Sequence, residues 1–271
     1  MITYDENNKD SLLYKINPIV KVLILVITTT IITFDYKPYS SIIFFGVAIF
    51  ILKFLGRFPL KKIIRLIAPF FIVALSFFLF TMLTRGLTHK YIYDFKFYCF
   101  TWRNKDIILS LALGFRILAI ITYSIIFVVS TNPVDFILSL IAYLHLPYKI
   151  GYSILTAYRF LPTFTKELES IRFAHEIRGI KNEKGFIGKI KDFKKFVIPM
   201  LATAIRRGER ISIAMEARAF GISKDRTYYR KIKFEKLDGT SLILSIIFCI
   251  LLVIILQRYN LMNMGIGFNF N

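Results

Sequence analysis

Two stretches of this chain repeat one arrangement of residues suited to gripping a charged partner. Ala174, Glu176, Arg178 and Gly179 close the first; Ala214, Glu216, Ala217, Arg218, Ala219 and Gly221 close the second. Each sets a glutamate two residues and an arginine four residues after an alanine, and the two arginines are 40 residues apart. The planar fork of arginine can hold a carboxylate through two parallel hydrogen bonds, so the chemistry on offer is docking rather than bond-making. Residues for bond-making are scarce. His89, His145 and His175 fall at no ligand spacing, and His145 beside Leu146 and Pro147 reads as packing or interfacial. Cys99 and Cys249 show no metal or redox spacing. Gly185, Gly188 and Lys189 have the wrong spacing for a phosphate-cradling loop, so ATP is not expected to bind this chain itself. Asp5, Asp35, Asp94, Asp106 and Asp135 flank apolar runs, and no paired acidic motif could hold magnesium and a diphosphate. The expectation is therefore no catalytic residue, no metal site and no cofactor.

The elements that must present the arginines are helical by spacing. Phe164, Leu168, Ile171, His175 and Arg178 step by four and three along one helix face. Leu201, Ala204, Gly208, Ile211, Met215 and Arg218 do the same, and Gly208 in that stripe would permit a close helix crossing. Each apolar stripe thus ends in an arginine near a helix C-terminus. Two readings fit that position. The cation simply completes the helix, favoured by the macrodipole by about 0.3–1 kcal/mol, or two equivalent arms meet a partner with two equivalent surfaces.

The rest of the chain says where these helices sit. Of 271 residues, 56% are hydrophobic, with 28 Phe and 15 Tyr, and 37 Lys and Arg outweigh 17 Asp and Glu to give a net charge of +20. Such a basic chain suits nucleic acid or a membrane, and the alternation of long uncharged apolar runs with short basic loops selects the lipid bilayer and excludes nucleic acid. Four apolar runs come first, near 19–34, 40–55, 67–83 and 107–130, and a fifth spans 240–256. The polar N-terminus enters the first run without a small-residue cleavage pattern, so that run is expected to be retained. Lys53, Arg57, Lys61, Lys62 and Arg65 mark their loop as cytoplasmic. The N-terminus and the segment 166–236, with 19 Lys and Arg against 9 Asp and Glu, then share that side. The aromatic loop near 85–106 faces outside at interface depth. Pro133, Pro147, Gly151 and Pro162 interrupt 133–165. That stretch is either helices lying along the cytoplasmic face or a broken extra span, and the frequent prolines favour the first. Arg116, inside the fourth run, either snorkels outward or pairs with a neighbouring helix. The expected fold is an all-α integral membrane protein of about five transmembrane helices, within a range of about four to six, plus long amphipathic cytoplasmic coupling helices. Its regions are a four-helix part at 1–131, a coupling part at 132–238, and a last span with its tail at 239–271.

Several segments, in order, resemble a known family. Tyr14 to Lys21 (Tyr-Lys-Ile-Asn-Pro-Ile-Val-Lys), Ser130 to Phe136 (Ser-Thr-Asn-Pro-Val-Asp-Phe), Tyr158 to Pro162 (Tyr-Arg-Phe-Leu-Pro), and Ile198 to Arg207 are similar to signatures of the EcfT/CbiQ transmembrane proteins of energy-coupling factor (ECF) transporters. The two arginine motifs resemble that family's Ala-Arg-Gly signatures, with Ile177 where alanine is usual and Ala219 where glycine is usual. The resemblance covers residues 12 to 255 or so. It implies a non-catalytic membrane scaffold, the T component of an ABC-type importer for vitamins or transition-metal ions in the cell inner (cytoplasmic) membrane. Its implied partners are two ABC-type ATPase subunits (EcfA-like), docked on Arg178 and Arg218, and a substrate-binding membrane S component. Alanine enters positive φ less readily than glycine, so the second helix is expected to run a little past Arg218, towards Gly221. The rival reading is a self-sufficient carrier or channel without ATPase partners.

Overall fold

The computed structural model describes residues 11–35, 37–92, 104–179, 186–222 and 234–259, and their side chains apart from those of 85–92, 104–106 and 186–192. Every regular element among them is helical: α1 (Leu12–Lys15), α2 (Pro18–Thr33), α3 (Pro38–Phe54), α4 (Leu60–Ile92), α5 (Asn104–Ser130), α6 (Pro133–Tyr143), α7 (Tyr148–Ile177), α8 (Phe186–Ala217) and α9 (Lys236–Arg258). The all-α membrane architecture expected from the apolar runs is what forms. Two compact units are present, one of Met1–Ser139 with Ile232–Asn271 and one of Leu140–Lys231.

In the first unit, α4, α5 and α9 each contain a stretch long and apolar enough to cross a bilayer, at Leu60–Thr84, Ile107–Ser130 and Lys236–Arg258. The other two expected spans, α2 and α3, have 16 and 17 residues. At 1.5 Å per residue they rise roughly 25 Å, short of the ~30 Å of hydrocarbon. Prolines begin both, at the first helical position, where a missing N–H costs nothing. Helix α5 is the centre of the bundle. Leu118, Ile125 and Val129 pack with Leu52 of α3 and with Ile63, Ile67 and Ala74 of α4. Ala119 and Tyr123 pack with Ile32, Phe44, Ala48 and Leu256 from α2, α3 and α9. The outward faces of α4 and α9 expose Phe71, Ile72, Phe80, Leu244 and Ile247, a surface suited to lipid rather than water. Two threonine hydroxyls within the spans are satisfied locally: Thr30 and Thr122 donate to the carbonyls of Val26 and Leu118, four residues back, each at 2.7 Å.

Pro162, read as an interruption, does not end its helix, and two other prolines share its setting. Pro69, Pro162 and Pro199 all lie inside helices that continue past them. Each removes one N–H and crowds the carbonyl four residues back, but long helical flanks on both sides keep the remaining ladder. The run expected at 67–83 is therefore the middle of a helix that begins at Leu60 and reaches Ile92. Residues 85–92, expected in a loop, are helical, while 93–103, with most of the aromatic loop, lie outside the described residues. The stretch 133–165 is divided between two helices, α6 and α7. Pro133 starts α6, Pro147 caps the start of α7, and Gly151 and Pro162 sit within α7. At 11 residues α6 is shorter than a bilayer-crossing helix, and neither α6 nor α7 is among the helices long and apolar enough to cross.

Candidate functional site

The second unit is built on α7 and α8, which run antiparallel. Near the end of α7, His175 meets the Phe196 ring edge-on at 5.5 Å, with the Arg172 guanidinium over the same ring at 5.7 Å. Further along, Glu167 pairs with Arg207 at 3.5 Å, and Arg207 also lies 5.7 Å above the Phe160 ring. At the start of α7, Tyr148 and Tyr152 hold Phe220 between them at 5.9 and 6.2 Å, both edge-on. The contacts climb α7 as they descend α8. The two stripes read from the sequence face each other, with Phe164 of one and Ala204, Ile211 and Met215 of the other lining a groove of about 370 Å³. Their apolar area is thus half-covered within the unit itself. The close crossing expected at Gly208 does not form: a side chain there would meet nothing within 4 Å, because Gly208 borders that groove.

Both arginines stand at helix ends. Helix α7 closes at Ile177; Arg178 caps it with its N–H bonded to the Ala174 carbonyl, and Gly179 turns left-handed at φ +68 with its N–H on the Glu176 carbonyl at 3.0 Å. Helix α8 closes at Ala217, and here the expected extension is absent. Ala219 itself takes the left-handed position, φ +57, one residue after Arg218 just as Gly179 follows Arg178. Its N–H bonds the Glu216 carbonyl at 2.9 Å, and the Phe220 N–H reaches back to the Met215 carbonyl at 3.0 Å. That pair of bonds is a Schellman closure, which normally recruits glycine. The usual accompanying apolar contact is supplied by Phe220 against the two tyrosines, and Gly221 follows at φ +95 over the Lys149 side chain. Tertiary packing on Phe220 thus holds the alanine where its local preference opposes it. The signal was present in the sequence as Tyr148 and Tyr152 on one helix face and a phenylalanine one residue beyond Ala219.

The two ends match in chemistry and differ in place. Ala174, Glu176, Arg178 and Gly179 are all exposed, as are Ala214, Glu216, Ala217, Arg218 and Ala219. Neither Arg178 nor Arg218 has an ion pair among the described residues. Ile177, one residue before Arg178, is 87% exposed, and Ile222, four residues after Arg218, is 82% exposed. Since Phe220 lies against Tyr152 at the start of α7, Arg218 and Arg178 occupy opposite ends of the helix pair. Their separation is on the order of 35–40 Å at 1.5 Å per residue. Among the described residues no cluster of three or more His, Cys, Asp or Glu could hold a metal. His145 serves the backbone: it turns left-handed at φ +53 after α6, and the Leu146 N–H returns to the Leu140 carbonyl at 3.3 Å.

Residues 9–229 match the family CbiQ, cobalt transport protein. Over 255 residues, 91% of this chain and 93% of the relative, the sequence is 26% identical to the energy-coupling factor transporter transmembrane protein EcfT of Staphylococcus aureus. It is 26% identical over 251 residues to EcfT of Brevibacillus brevis, covering 89% of this chain and 93% of that one. EcfT of Bacillus subtilis is 24% identical over 247 residues, 88% of this chain and 91% of its own length.

Proposed function

This chain belongs to the CbiQ family of transport proteins and is a multi-pass transmembrane protein of the energy-coupling factor type; from that premise we propose that it is the scaffold that two ATPase subunits drive. In this reading one ATPase docks at Arg178 and the other at Arg218. A separate membrane S component carries the substrate, a vitamin or a transition-metal ion. ATP binding and hydrolysis occur on the partner chains, and α7 and α8 pass the resulting motion to the S component. The chain lies in the cytoplasmic membrane with its N-terminus and the second unit on the cytoplasmic side.

One observation carries the reading: an exposed arginine followed by a left-handed helix stop, at Arg178–Gly179 and at Arg218–Ala219, is present at both ends of a single antiparallel helix pair. Completing a helix explains one arginine; two docking surfaces on a partner pair would explain why the arrangement occurs twice, at opposite ends of one helix pair. The matched ends face a symmetric or pseudo-symmetric partner pair, as two ATPases would be, and the helix pair between them is stiff enough to act as a strut. Uptake by cells making this chain and its S component, with and without the ATPase pair, tests the reading. Dependence on the ATPases supports it. Uptake that persists in their absence would establish the rival, a self-sufficient carrier or channel.

A further inference from the structure

Two of the family-like segments, 14–21 and 130–136, have no part in the docking ends, yet the structure brings them together. Lys21 on α2 donates from Nζ to the Ser130 carbonyl at the end of α5, at 2.7 Å. One residue earlier on α5, the Val129 carbonyl accepts from the Tyr14 hydroxyl at 2.9 Å. A third segment joins them from the far end of the chain. The Asn17 N–H donates to Asp238 Oδ1 at 2.6 Å, while Asp238 Oδ2 accepts the Glu235 N–H at 2.9 Å and so caps α9. The carboxylates of Asp238 and of Asp135, at the start of α6, are the charges that act on Lys21. The site is buried: Asn17, Lys21, Ser130, Thr131 and Asp238 are all shielded, Asp238 to 2% exposure. A buried ammonium is tolerated only with such partners, and removing one member of a buried set leaves the others uncompensated.

The position of the two carboxylates in the chain gives this cluster its meaning. Asp135 lies four residues before Ser139, where the chain leaves the first unit, and Asp238 lies six residues after Ile232, where it returns. One carboxylate just before the chain leaves for the second unit and one just after it returns therefore act on the same lysine. We propose that Lys21 is a positioning residue for coupling, anchoring the outgoing and the returning chain of the α7–α8 unit to the membrane bundle so that motion of that unit moves α5, α6 and α9 rather than slackening its own connections. The role rests on the function proposed above.

The test uses the complete transporter, with its ATPases and S component, in proteoliposomes. Lys21→Met keeps the apolar stem and deletes the charge. Substrate taken up per ATP hydrolysed should fall tenfold or more, with the ATPases still copurifying in wild-type amount. Lys21→Met with Asp135→Asn, which removes one facing carboxylate as well, should recover at least a third of the wild-type ratio. An unchanged ratio, or uptake and hydrolysis falling in equal proportion, would overturn the proposal. Should Lys21→Met fail to assemble, Asp135→Asn alone, which leaves Lys21 its Asp238 and carbonyl partners, carries the test: a threefold drop in the ratio supports the role and an unchanged ratio overturns it. Failure of the underlying reading looks different, because the wild-type chain itself would then retain no ATPase.

Discussion

Ala219→Gly isolates the most unusual feature of the Arg218 helix end. An L-residue in the left-handed region is less favourable than in the right-handed one by roughly 1–2 kcal/mol. Ala219 sits there at φ +57, with its methyl group exposed, so deleting that methyl sacrifices no buried contact. Glycine escapes the steric term but loses more chain entropy on ordering, roughly 0.5–1 kcal/mol. The difference leaves a net gain of about 0.5–1 kcal/mol, or roughly a two- to fivefold smaller opening equilibrium for the closure. Hydrogen–deuterium exchange of a peptide covering residues 215–222, in the purified protein, reads this directly, because the Ala219 and Phe220 amides are the donors of the closure. Exchange there should slow two- to fivefold while the peptides of α4 and α5 are unchanged. The reverse substitution at the matched end, Gly179→Ala at φ +68, should speed exchange around Arg178 by a similar factor. If Ala219→Gly leaves exchange unchanged or faster, the left-handed stop at Ala219 is not how this helix ends.

Two further substitutions probe the second unit. Gly151→Ala would place a methyl group against Cδ1 and Cγ1 of Ile141, so it should lower stability by about 1–3 kcal/mol, visible as a lower unfolding midpoint. Ile141→Ala in the same chain should recover part of that loss. Phe220→Ala removes two edge-on ring contacts, worth about 0.5–1.5 kcal/mol each beyond burial, and should speed exchange at the end of α8 severalfold with no effect at Arg178.

The membrane class was legible because hydrocarbon demands long uncharged runs, and five of them stand out in the sequence. The helix ends at Arg178 and Arg218 were legible as well, since three-and-four spacing up to an arginine can be read along a single helix. What escaped depends on neighbours. Proline marked helix starts at Pro18, Pro38 and Pro133, yet Pro69, Pro162 and Pro199 sit inside helices, because the local loss of one hydrogen bond is outweighed by the turns on either side. The stop at Ala219 was missed because its cause lies about 70 residues away, in Tyr148 and Tyr152. Gly208 promised a close approach that the antiparallel pairing of α7 and α8 does not use. That pairing also sends Arg178 and Arg218 to opposite ends, which no reading of one helix at a time contains. The cluster around Lys21 joins residues 109, 115 and 221 positions apart, so only the folded chain reveals it.

The central claim is that the two arginine ends hold the ATPases. Losing a desolvated charged partner at an interface typically costs ~2–5 kcal/mol, and both residues are exposed, so alanine at either position should leave the fold intact. The direct measurement is copurification of the ATPase pair with membrane-inserted wild type, Arg178→Ala, Arg218→Ala and the double variant. Each single variant should retain less ATPase than wild type, and the double variant close to none, with substrate-stimulated hydrolysis lost in parallel. A double variant that inserts normally, brings down the ATPases in wild-type amount and supports stimulated hydrolysis would contradict the account.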